Sequence, residues 1–162
     1  MMKTLLNHQR KEDGFTFIEL IMVITLIGVL TSIAAEKLTD VAERTELTAE
    51  ATTIDMLRSS LIINFGNDMI NGITAKFPED PFARLHKVPG GYDRNRIHPP
   101  TGGEDDEDIW VFVPGGIKVT PDQSGTTLEG FKSTGSIFHQ RKDGTVVKWP
   151  YDSNLGIIGN RL

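Results

Sequence analysis

The chain has 162 residues, a net charge of −5 and no cysteine. This length holds one domain plus an additional segment. The acidic balance argues against a nucleic-acid binder, which presents a basic face, and the lack of cysteine excludes disulfides, thiolate metal sites and a cysteine nucleophile.

Residues 1–14 carry Lys3, Arg10 and Lys11 ahead of an apolar run that extends from Phe15 to Ala35. At ~1.5 Å rise per residue the run makes a helix of roughly 30 Å, the thickness of a bilayer's hydrocarbon core. A helix satisfies every backbone donor and acceptor internally, as lipid requires. Counting basic residues near the span, three before it against Lys37 and Arg44 after it, places the N-terminus in the cytoplasm. The run holds one ionisable side chain, Glu19, close to its start. A carboxylate at the bilayer centre costs on the order of 2.5–3.5 kcal/mol and is usually paired or functional. Glu19 therefore needs a cation, and the run offers none. A cut after Gly14 would create one, the α-amino group of Phe15. Two other readings stand beside this: a secretory signal cut at the small-x-small site Ser32-Ile33-Ala34, and an uncut signal-anchor.

The sequence Gly14-Phe15-Thr16-Phe17-Ile18-Glu19 before a long apolar helix resembles the prepilin cleavage and methylation signal of type IV pilins and of type II secretion pseudopilins. The resemblance implies cleavage between Gly14 and Phe15 by a prepilin peptidase, N-methylation of Phe15, and pairing of Glu19 with the terminal amine of a neighbouring subunit in a helical filament. It further implies an inner-membrane assembly platform with its ATPase as partners, and an inner-membrane protein that becomes a periplasmic or extracellular filament. Many members carry a proline where this chain has Glu36, and many staple a C-terminal loop with a disulfide that this chain cannot form.

Past Ala35, residues Leu47, Ala51, Ile54, Leu57, Leu61 and Phe65 recur at steps of three and four, the apolar face of a helix. The spacing predicts that the helix continues to Phe65 and stops at Gly66-Asn67. Gly28 and Thr25, on the membrane half, suit close helix approach. From Asn67 to Pro100 the prolines and glycines read as loop. Within it Phe77-Pro78-Glu79-Asp80-Pro81-Phe82 resembles the Pro-x-Asp-Pro-aromatic segment of major pseudopilins; the alternative is an aromatic pinned by two prolines against a small core. The run Glu104–Asp108 offers oxygen ligands, and Asp105, Asp106 and Asp108 are candidate calcium ligands; without EF-hand spacing, a solvated acidic loop is the simpler reading. Ile109–Val113, Ile117–Thr120, Ser136–Gln140 and Thr145–Trp149 read as antiparallel strands, with Asp143-Gly144 turning a hairpin over Ser136–Trp149.

No nucleophile elbow, zinc-protease, Walker or dinucleotide-binding pattern occurs. His8 lies in the leader, and His86, His98 and His139, spread singly, read as surface or half-buried side chains. The expected fold is α+β: a leader over 1–14, the membrane half of a long helix over 15–35, its amphipathic half over 36–66, and a head over 67–162 whose small sheet buries one face against that amphipathic half. The expected function is a structural subunit of a type IV pilus or a secretion pseudopilus, not an enzyme and without an obligatory cofactor. The rivals are an anchored adhesin-like binding module, such as a minor tip subunit, and a secreted protein with an ordinary signal.

Overall fold

The computed structural model describes residues 14–115 and 130–162. Helix α1 spans Phe17–Ile70, and a sheet of four antiparallel strands follows: β1 Ile109–Pro114, β2 Gly135–Gln140, β3 Val146–Asp152 and β4 Ile157–Ile158, in that spatial order. The expected strand Ile117–Thr120 lies outside the described residues, as does the expected leader up to Asp13. The chain divides into two compact units between Thr45 and Glu46.

In the first unit every described residue up to Arg44 is exposed, including Phe17, Ile18, Leu20, Met22, Ile24, Leu26, Ile27, Leu30 and Ile33. This apolar surface without sidedness has no partner among the described residues, and a lipid or protein environment is what would remove it from water. The hydroxyl of Thr25 donates to Ile21 O at 2.7 Å, so this polar group does not burden the apolar stretch.

The helix outruns the expected stop by a turn. Gly66 and Asn67 are helical, because Asp68 in the next turn is held by Arg84 through two hydrogen bonds of 2.6 and 2.8 Å. Termination comes at Gly72, whose φ of +69° suits a residue without Cβ. Its N–H donates to Met69 O at 3.2 Å, and Ile73 N–H donates to Asp68 O at 2.9 Å, the paired bonds of a Schellman cap.

In the second unit Ile54, Leu57 and Leu61 pack with Phe82, Trp110, Phe112, Ile137, Val147, Trp149, Tyr151 and Ile158 in one core. Of the expected apolar stripe, Ala51 is exposed and Leu47 and Phe65 are half-buried. Cross-strand partners Trp110↔His139, Phe112↔Ile137 and Ile137↔Trp149 set the inward face of the sheet. The expectation that the sheet buries only one face is corrected: all six residues of β2 are buried. The Gln140 side chain, on the opposite face from His139, accepts from Gly102 N–H at 2.8 Å and donates to Gly103 O at 2.6 Å, so the 102–103 loop covers that face. Gly144 turns the β2–β3 hairpin at a φ of +82°. Strand β4 is too short to have shown itself as an apolar run.

Phe82 is fully buried and stacks on Tyr92 at 4.2 Å. Asp80 fixes this corner by accepting from Phe82 N–H at 2.8 Å and from the Tyr92 hydroxyl at 2.6 Å. The two Asp80 bonds, with Pro81 directly before the ring, thus hold the aromatic in the core.

Candidate functional site

Gly14 is exposed, and a Cβ built on it meets nothing within 4 Å. Among the described residues nothing packs against this position. Phe15 and Thr16 are exposed and precede the first helical residue, Phe17. Thr16 and Glu19 stand three apart at the helix start and satisfy one another. Glu19 Oε2 accepts from the Thr16 N–H at 2.8 Å and from its hydroxyl at 2.7 Å, while Thr16 Oγ1 accepts from Glu19 N–H at 3.3 Å. This is a capping box, two otherwise orphaned helix donors satisfied reciprocally. Thr-Phe-Ile-Glu is its sequence signature, so the carboxylate has neutral donors beside it as well as a use for a cation. It also lies in the first turn, where the helix dipole favours negative charge. Glu19 thus has local partners while leaving Oε1 for a further donor.

Residues 9–35 match the family model described as the prokaryotic N-terminal methylation motif. The chain carries the type IV pilin and pseudopilin signal. No curated protein and no solved structure matches the chain. The motif-bearing helix contains a stretch apolar enough to cross a membrane, with a mean hydropathy of 2.4 and none of that stretch buried, so motif and helix together fit a single-pass inner-membrane precursor. A pilin-type motif denotes a structural subunit that is processed by a prepilin peptidase and assembled.

The acidic run behaves otherwise than as one ligand set. Asp106 is buried, paired through both oxygens with Arg96, and accepts from the Thr101 N–H and hydroxyl. The Arg96 bonds hold its carboxyl well below the usual carboxylate range. Asp105 is exposed. Asp108 turns instead toward β2, where its Oδ1 lies 3.4 Å from His139 Nε2.

His139 is the largest departure from the sequence reading, being 2% exposed rather than at the surface or half-buried. Its ring stacks on Trp110 at 4.2 Å, and Nδ1 lies 2.9 Å from Glu50 Oε1. Glu50, equally buried, accepts from Arg141 Nε at 2.7 Å and Nη2 at 2.8 Å, and Arg161 Nη1 approaches at 3.4 Å. Burial pushes the Glu50 carboxyl up, but the bonds from Arg141 and His139 outweigh it and hold the group below its ordinary value. A signal existed: Leu47, Glu50, Ile54, Leu57 and Leu61 follow helical spacing, so Glu50 rather than Ala51 occupies the core-facing stripe. A carboxylate there demands buried cations, and Arg141 and His139 supply the donors. Beside the cluster a groove of about 490 Å³ is lined by Leu47, Glu50, Ile54, Arg58, Trp149 and Arg161.

Proposed function

We propose that the chain is a pilin or pseudopilin cut between Gly14 and Phe15, methylated on the new Phe15 amine, and assembled into a helical filament through Glu19. In this reading the precursor spans the inner membrane once with its N-terminus in the cytoplasm, and an assembly platform with its ATPase extracts it. The exposed apolar half exchanges its lipid neighbours for other copies of the chain, and Glu19 adds a neighbour's positive amine to its bonds from Thr16. Breaking a buried ion pair costs about 3–5 kcal/mol, so a subunit out of register by a residue is rejected.

The observation that supports this reading is the methylation motif over 9–35 set directly on an apolar helix whose one carboxylate stands at its N-terminal turn. Intact mass and N-terminal sequencing of the mature protein test it. Methylated Phe15 is expected; a chain beginning at Ala35, or one still beginning at Met1, refutes it. Glu19→Val should leave insertion and cleavage intact while abolishing incorporation, and wild-type filament yield from that variant would refute the role given to Glu19.

A further inference from the structure

The ligand-bearing atoms of Glu46, Asp108 and His139 all lie within 4.8 Å of one another, brought together from α1, the turn before β1, and β2. Glu50 determines what this cluster is. Its Oε1 lies 2.9 Å from His139 Nδ1 and occupies that side of the ring, so Nε2 is the ring nitrogen left to face Asp108. Nε2 then faces Asp108 Oδ1 across 3.4 Å. This separation is beyond the usual N–H···O range of about 2.7–3.2 Å. It is, however, the edge of a tetrahedral zinc site, since Zn–N of about 2.0–2.1 Å and Zn–O of about 2.0–2.2 Å at the tetrahedral angle set the two ligand atoms ~3.4 Å apart.

We propose that His139 Nε2, Asp108 and Glu46 bind a zinc ion, with water as fourth ligand. The donor set suits it: imidazole selects first-row metals over calcium or magnesium, and one histidine with two carboxylates is within zinc's repertoire. The Glu50–His139 bond is the carboxylate–imidazole support that orients metal-binding histidines and raises their basicity. Lys142 N–H donates to Glu46 Oε1 at 3.0 Å, fixing the carboxylate while leaving Oε2 for the ion. The Asp108 side chain is 59% exposed, so the ion has a path from solvent. A zinc here joins α1 to β1 and β2 in a chain that has no cysteine to staple them. The site is independent of processing or polymerisation, and its failure would leave the filament reading untouched.

The test is equilibrium dialysis of the full-length chain in detergent micelles against zinc, with metal analysis, for the wild type, Glu46→Gln and Asp108→Asn. Both substitutions remove charge while keeping an acceptor, and asparagine, like aspartate, tolerates the positive φ at position 108. Expected are one zinc per chain for the wild type, affinity reduced by more than about tenfold in either variant, metal-free melting temperatures close to the wild type's, and a zinc-induced rise in melting temperature restricted to the wild type. Cobalt should give the visible absorption of a four-coordinate N/O site, and equimolar calcium should not displace zinc. Absence of uptake, uptake indifferent to both substitutions, displacement by calcium, or a proton retained on Nε2 at saturating zinc by nitrogen-15 NMR would each overturn the proposal.

Discussion

Truncating Glu50 to alanine should destabilise the second unit more than any other single charge removal on α1. Glu50 is 2% exposed, and its carboxylate is the common acceptor for Arg141 Nε and Nη2 and for His139 Nδ1. Removing it strands the Arg141 guanidinium, whose side chain is only 13% exposed, between the helix and the sheet. Leaving one partner of a buried pair uncompensated costs about 3–5 kcal/mol, and the lower end applies here because Arg141 retains some access to water. At roughly 4–8 °C per kcal/mol for a domain of about this size, the melting temperature should fall by on the order of 10–20 °C. The measurement is thermal unfolding followed by tryptophan fluorescence, since Trp110 stacks on His139 and both tryptophans lie in the core. Glu43→Ala, on the exposed part of the same helix, is the control and should fall within about 0.5 kcal/mol of the wild type. Pairing Glu50→Leu with Arg141→Leu should recover much of the loss, because apolar residues of similar volume replace buried ion pairs at little cost. A loss below about 1 kcal/mol for Glu50→Ala, or a double variant less stable than the single one, would refute the reasoning.

Three further outcomes follow from the same geometry. The Arg84 bonds hold the Asp68 carboxyl below its ordinary value, so its contribution is complete above the unfolded pKa of ~3.9 and is lost as pH falls through the lowered folded value; wild type and Asp68→Asn should therefore differ in melting temperature at pH 7 and converge in acid. Gly91→Ala should destabilise by more than about 1 kcal/mol, because φ is +74° there and a Cβ would collide with the Asp108 carbonyl oxygen; a wild-type urea midpoint would contradict this. Gly14→Val should leave the precursor's fold and insertion unchanged while blocking maturation, since among the described residues a Cβ at that position meets nothing within 4 Å; an unaltered mature mass would show that the peptidase tolerates bulk.

Legibility in the sequence followed the range of the physics involved. The apolar helix, its amphipathic continuation and the β2–β3 hairpin were readable because each is encoded by neighbours a few positions apart: helical spacing, β-branched runs, and Asp143-Gly144 at a turn. The true helix end was not, because Gly66 is a stop signal only where nothing beyond it holds the next turn, and Arg84, far along the chain, holds Asp68. The dispersal of the acidic run has the same origin, with Arg96 claiming Asp106 while Asp108 faces β2. Single histidines read as unremarkable because burial of His139 depends on Glu50, 89 positions away.

The capping box would let one carboxylate serve both stages of the proposed assembly without being costly in the first. In the precursor Glu19 accepts from the Thr16 N–H and hydroxyl and sits over the helix's positive end, so the chain need not hold a bare charge in lipid while it waits. Thr16 lies after the proposed cut, so these bonds persist in the mature chain, and a neighbour's amine would add a charge-assisted bond rather than replace them. In the proposed assembly a tolerable arrangement is exchanged for a better one, and the direction of that step would depend on how well the apolar side chains along α1 pack against neighbouring subunits. Thr16→Val isolates this effect: it removes the hydroxyl's bonds at a cost of about 1 kcal/mol, leaves Gly14, Phe15 and Glu19 in place, and should lower the yield of inserted precursor before it affects cleavage or polymerisation. Membrane fractionation measures the first and filament shearing the last. A Thr16→Val precursor that inserts as well as the wild type would show that Glu19 needs no local partner in the bilayer.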